Sequence, residues 1–218
     1  MKILAVEFSS QARNAAVLQC GDGPSPALLG RAAERLVRRP LGLITDALHA
    51  ARCEREDIEA IAIGLGPGSY TGIRGAIALA QGWQLGRGVQ LLGVSSVECL
   101  AAQAAEEKMF GPVNIVIDAQ RNEFYLARYE IGPGQWRQTE ALRLAPVAEI
   151  EQLHRAGQRI IGPDASQWFA SAQEIYPDAA MLGRLACGRR DFVAGEKLEP
   201  IYLREVSYTK APPVRAII

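Results

Sequence analysis

The sequence predicts an α/β protein built by internal duplication of one unit, and three observations carry that expectation. Residues 3–6 and 15–18 are apolar runs around a polar turn at 9–14, which reads as a hairpin. Residues 113–118 and 123–127 repeat the pattern around 119–122; an acid, Glu7 or Asp118, closes each first strand and Arg-Asn precedes each second. The segment from Ile63 through Gly66 and Pro67 to Ser69 is echoed from Ile160 through Gly162 and Pro163 to Ser166, each ahead of a candidate helix. Finally, residues 61–65 form a short apolar run delivered straight into a helix N-terminus. Gly66-Pro67-Gly68 is the turn between them and Ser69 or Thr71 the N-cap.

After the first hairpin, residues 31–39 fit either a charged helix or an edge strand, and their arginines read as a solvated face. Pro40 opens a helix with Leu41, Ile44, Leu48 and Ala51 on one side. The helix after the glycine-rich turn carries Gly72, Gly75, Leu79, Gly82 and Gly86 at spacings of three and four, so one face is nearly bare. Each interior glycine costs about 1 kcal/mol against alanine, and close approach of another backbone, from this chain or a foreign one, is the gain that offsets it. Residues 90–94 read as a strand and 97–107 as a helix. A crossing at 108–112 divides a lobe at 1–107 from a smaller one at 108–218, whose last residues are expected to pack back on the first. Residues 200–204 read as extended and 211–213 as irregular.

Composition narrows the function. The chain has 218 residues, 49% hydrophobic, with 24 basic and 24 acidic side chains. Residues 1–104 carry 10 basic and 9 acidic groups and the remainder 14 and 15, so neither half is the basic surface expected of independent nucleic-acid binding. Cys20, Cys53, Cys99 and Cys187 contain no C-x-x-C pair and read as reduced core fillers in a cytoplasmic protein. His49 and His154 stand apart, which argues against a zinc site. Glu7 interrupts the apolar amino terminus too early for a signal peptide, and no run is long enough to span a membrane.

Chemistry is thin. Glu7 with Ser9 and Ser10 resembles the acid-tipped hairpin of actin-like ATPases, but the acid is long and no glycine follows; Asp118 shares that defect. Gly66, Gly68 and Ser69 place backbone N–H groups at a helix N-terminus, where anions are attracted, yet no Gly-Lys-Ser/Thr closes a P-loop. Glu7, Ser9, Ser10, Gly66, Gly68 and Ser69 are therefore read as a degenerate nucleotide site. No Gly-x-Ser-x-Gly elbow supports a hydrolase.

The residues Ile3-Leu4-Ala5-Val6-Glu7, the segment from Gly66 to Arg74, Gly93-Val94-Ser95-Ser96, the segment from Asp118 to Tyr125, and Pro200 to Arg204 with Lys210 together resemble the TsaB (YeaZ) family. The likeness runs in order over nearly the whole length; the glycine-rich segment is shared with the sister subunit TsaD. It implies an actin-like ATPase (ASKHA) fold, with two duplicated lobes that each hold a mixed sheet and flanking helices. It also implies a non-catalytic subunit of the machinery that makes threonylcarbamoyladenosine in tRNA. TsaD binds a metal through a His-x-x-x-His pair and transfers the threonylcarbamoyl group to the adenosine beside the anticodon. The corresponding residues 36–41 here contain no histidine.

The resemblance assigns the partner interface to Leu41, Ile44, Leu48, Gly72, Gly75, Leu79 and Gly82, facing TsaD or, when the chain is alone, a second copy. It implies the ATPase TsaE as a further partner, tRNA contact through the complex only, and no cofactor of the chain's own, with ATP or ADP at the subunit interface. The alternative is a small-molecule kinase or ATPase of the same fold using Glu7 and Asp118. The older family label of glycoprotease is opposed by the missing histidine pair.

Overall fold

The computed structural model describes residues 1–21, 25–35 and 40–204. The first sheet contains β1 (Lys2–Glu7), β2 (Ala12–Gln19), β3 (Ala27–Arg35), β4 (Ala60–Gly64) and β5 (Gln90–Val94) in the order β3-β2-β1-β4-β5. The second contains β6 (Gly111–Asp118), β7 (Glu123–Gly132), β8 (Gln135–Pro146), β9 (Ile160–Gly162) and β10 (Gln173–Glu174) in the order β8-β7-β6-β9-β10. In each sheet the first three strands pair antiparallel and the last two join in parallel. The two lobes thus share one topology, as the repeated hairpins predict.

Five layers result. Alternation along β1 sends Leu4 and Val6 to one face of the first sheet and Ile3 and Ala5 to the other. The first face is covered by α1 (Pro40–Ala51) and α2 (Tyr70–Arg87), the second by α3 (Ser96–Glu106) and α5 (Ala179–Cys187). Helix α3 lies between the two sheets: Cys99 and Ala102 face the first, and Leu100, Ala101 and Ala104 face the second. Its run of alanines lets both sheets approach. Helix α4 (Val147–Arg155) covers the outer face of the second sheet through Ile150 and Leu153.

The chain returns to its first lobe well before its last residues. Asp178 caps α5 by accepting from the N–H groups of Ala180 and Met181 at 2.9 and 3.3 Å, and Asn14 of β2 accepts from that of Ala179. Beyond α5 a strap crosses the lobe. Val193 N–H donates to the Leu91 carbonyl, the Gly195 backbone is held by Gln81 and Gln84 of α2, and Ile201 N–H donates to the Leu65 carbonyl. Tyr202 then stacks on Tyr70, and Arg204 reaches Glu123 in the second hairpin at 2.5 Å.

One open alternative is decided and two expectations are corrected. The segment at 31–39 is the edge strand of its two readings as far as Arg35, and 36–39 lie outside the described residues, as do Lys210 and residues 211–213. The second turn leads only into a 3-10 turn at Ala165–Gln167, because β10 follows within a few residues and leaves no room for an amphipathic repeat. Cysteines 20 and 187 form a disulfide between the end of β2 and the end of α5, with Cα atoms 5.4 Å apart; folding closes a separation of 167 residues that spacing could not reveal. Cys53 and Cys99 are free and buried. Because α3 has no slack on either side, Ala101→Leu is expected to destabilise the protein by about 1–3 kcal/mol through overpacking, read from urea denaturation.

Candidate functional site

Two features stand out, a cleft between the lobes and the outer face of α2, and the glycine-rich turn positions both. Gly66 and Gly68 take φ values of 84° and 147°, which residues with a side chain rarely adopt. Ser69 is the N-cap, its Oγ accepting from Gly72 N–H at 3.3 Å. The first hairpin lies flush against this turn: Ser69 N–H donates to the Ser9 carbonyl at 2.6 Å, and a Cβ on Gly68 would fall 2.1 Å from that same oxygen. A Cβ on Gly72 would fall 2.0 Å from the carbonyl oxygen of Phe8. Two of the N–H groups at the start of α2 are therefore committed to the protein itself rather than to an anion.

The glycine stripe divides accordingly. Gly72 is bare because β1's exit passes over it, whereas Gly75, Gly82 and Gly86 have no described atom within 4 Å of where a Cβ would sit. Beside them Leu79 is half-buried, Leu85 is 89% exposed and, on α1, Leu41 is 67% exposed. Ile44 and Leu48, expected at the interface, are each only 4% exposed and pack with Val6, Ile61 and Ile73 in the core. Together with Gly72 they are removed from the accessible surface, since α1 turns that side inward to cover its own sheet. What remains open is the line Leu41, Gly75, Leu79, Gly82, with Leu85 and Gly86 added.

The cleft encloses about 340 Å³ and gathers the four duplicated turns: Ser9, Ser10 and Gln11; Gly68, Ser69 and Tyr70; Asp118, Ala119 and Gln120; Pro163 and Asp164. Glu7 and Gly66, expected here, lie behind its wall. Glu7 is fully buried; its Oε1 accepts from Ser9 N–H at 2.7 Å and its Oε2 from Ser96 Oγ at 2.8 Å, while Ser96 Oγ accepts from Gly66 N–H at 3.2 Å. Gly64 makes room for the carboxylate, since a Cβ there would stand 2.1 Å from Oε2. Glu7 thus ties β1, the glycine turn and α3 together. Ser96 is the partner that sequence reasoning left without a role, and its place in the Gly93 to Ser96 motif was the signal for it.

Across the cleft floor, Asp164 accepts from Gln11 Nε2 and, at 2.6 Å, from the Tyr176 hydroxyl, linking the lobes. Burial and its hydrogen bonds to Asp164 and Glu174 push the Tyr176 phenol up to about 12, so it donates throughout the neutral range. Asp118 accepts from Gln120 N–H at 2.7 Å within its own turn, where Gln120, Arg121 and Asn122 all have φ near 60°. Neither His49 nor His154 lines the cleft.

Comparison with known proteins agrees with this architecture. A model of the family described as TsaD: tRNA N6-adenosine threonylcarbamoyltransferase matches residues 14–194. The chain belongs to that family. Among its relatives is the tRNA threonylcarbamoyladenosine biosynthesis protein TsaB of Escherichia coli K12, 29% identical with 97% of this chain and 99% of the relative covered. TsaB of Haemophilus influenzae is 27% identical over 97% and 98% of the two chains. The solved structure of YeaZ from Pseudomonas aeruginosa superposes with a TM-score of 0.73 at 26% identity, covering 93% of this chain and 99% of that one. The relatives place the chain in tRNA threonylcarbamoyladenosine biosynthesis, on the TsaB side of the family, with an actin-like fold. No helix among the described residues is long and apolar enough to cross a membrane.

Two measurements check the site. Gly72→Ala is expected to cost about 2 kcal/mol or more, whereas Gly75→Ala gains up to about 1 kcal/mol, both read from thermal or denaturant unfolding. Burial raises the Glu7 carboxyl above its ordinary value of 4.5. A group raised on folding contributes stability that is intact below its unfolded value and lost as pH climbs through the folded one. Glu7→Gln mimics the protonated form. Its melting temperature should match wild type near pH 4 and pull ahead of it toward pH 7; a gap that stays constant or reverses would contradict the caged, structural role.

Proposed function

We propose that the chain is a non-catalytic partner subunit that binds and activates a TsaD-type transferase for threonylcarbamoyl transfer to the tRNA adenosine beside the anticodon. The carrying observation is the open face of α2, where none of this chain's described atoms lies within 4 Å of a Cβ placed at Gly75, Gly82 or Gly86. Three glycines exposed on one helix sacrifice helix stability without an internal return. A foreign helix laid along them, meeting Leu41, Leu79 and Leu85, supplies it. Such a stripe also matches itself about a two-fold axis, so a second copy is the partner when the chain is alone.

The cleft supports the same reading. The carboxyl at the head of the first hairpin, which a kinase or ATPase of this fold would turn toward phosphate, is enclosed by Ser9, Ser96 and Gly64 instead. A peptidase reading lacks a histidine at the cleft wall. On this account ATP or ADP belongs to the interface with the transferase. A TsaE-type ATPase joins the assembled pair, and the balanced charge leaves tRNA to be held through the complex. The pair acts in the cytoplasm.

The interface is tested by Gly75→Leu and Gly82→Leu, which place a bulky side chain on the open stripe. Both variants are expected to melt at or above the wild-type temperature while losing co-elution with the transferase subunit in size-exclusion chromatography. Wild-type yield of the complex from either variant would contradict the assignment.

A further inference from the structure

The Cys20–Cys187 disulfide lies on the wall of a cavity of about 430 Å³ whose other walls include Arg184, Arg190 and the amino-terminal Met1. Arg184 is paired with Glu106, and the Met1 ammonium stands 3.7 Å from Glu59. Arg190 differs: its guanidinium donates to the carbonyls of Cys187 and Arg189 at 3.0 and 2.7 Å and meets no carboxylate among the described residues. Cationic surroundings draw anionic thiols and stabilise thiolates. The remaining cysteines offer no competing chemistry, since Cys53 and Cys99 are buried and burial holds the Cys99 thiol well above its usual range.

We propose that this disulfide is a thiol–disulfide exchange site selective for small thiols that carry carboxylate groups. Cys187 is 9% exposed and Cys20 is the more open of the two, so the incoming thiolate attacks Cys20 Sγ. A bond forms between the external sulfur and Cys20, the Cys20–Cys187 bond breaks, and its electron pair leaves on Cys187, where Arg190 offsets the negative end of α5. A second thiolate attacks the external sulfur of the mixed disulfide and releases Cys20. Two external thiols are oxidised to one disulfide, the protein disulfide is reduced, and the two protons lost by the thiols end on the cysteines. In a compartment rich in such thiols the pair is a reversible modification site rather than a permanent brace. The strap that flanks α2 begins directly after Cys187, so exchange would reach the partner face; that consequence alone rests on the partner-subunit reading.

The test uses the isolated full chain, so its failure leaves the partner reading untouched. The oxidised protein is incubated with reduced glutathione or with uncharged 2-mercaptoethanol at equal thiolate concentration, quenched with iodoacetamide under denaturing conditions, and weighed by mass spectrometry. Before incubation two of the four cysteines should be alkylated. Per thiolate, glutathione should open the bond faster by about threefold, the scale of one exposed ion pair. High salt or Arg190→Gln should erase that preference. Four alkylated cysteines at the start, equal rates for the two thiols, or a preference unchanged by salt and by the substitution would each overturn the proposal.

Discussion

The structure depends on one contact: the backbone of the first hairpin seated against the glycine-rich turn. The carbonyl oxygens of Phe8 and Ser9 occupy the space where Gly72 and Gly68 would otherwise carry side chains, and Ser69 N–H closes the contact on Ser9. Glu7 locks it from behind by accepting from Ser9 and Ser96. With the turn fixed in this way, the axis of α2 is fixed too. One side of the helix, at Ile73, Ala76, Ile77 and Ala80, is sealed on the sheet, and Gly75, Gly82 and Gly86 point away from it.

The duplicated lobe keeps the topology but not the contact. Gly162 still makes room for a carbonyl, that of Val116, so the strand crossing survives. Beyond it Asp164 turns left-handed and reaches Gln11 of the other lobe, and no long helix follows. One copy of the unit therefore projects a helix, while the other supplies the floor of a cleft and a brace across it. The acids that head the two hairpins diverge in the same manner, Glu7 enclosed in the core and Asp118 folded onto its own turn.

Much of this was legible in the chain. The repeated hairpins, the strand-to-helix turn and the cap at Ser69 follow from local patterns, and the structure has them where those patterns fall. The division of the glycine stripe was not legible, because Gly72 and Gly75 fit the same helical period and differ only in whether a distant hairpin lies above them. Ile44 and Leu48 share a face with Leu41 by period, yet only the position of the sheet decides which of the three is covered. Glu7 carries the sequence mark of a cleft residue, and its burial depends on Ser96, 89 residues away. The docking of helix α5 against β2 and the Cys20–Cys187 bond are tertiary events across more than 160 residues. Strand β8 is largely polar and sits at a sheet edge, which leaves little apolar alternation to read.

The central claim is that the bare side of α2 is a docking face held ready by the hairpin contact. Amide hydrogen exchange over residues 70–88, followed for the chain alone and after addition of a TsaD-type subunit, tests it most directly. The account predicts slower exchange along α2 and at Leu41 on mixing, with β8 and α4 unchanged. Protection that appears on β8 and α4 while α2 exchanges as before would contradict it.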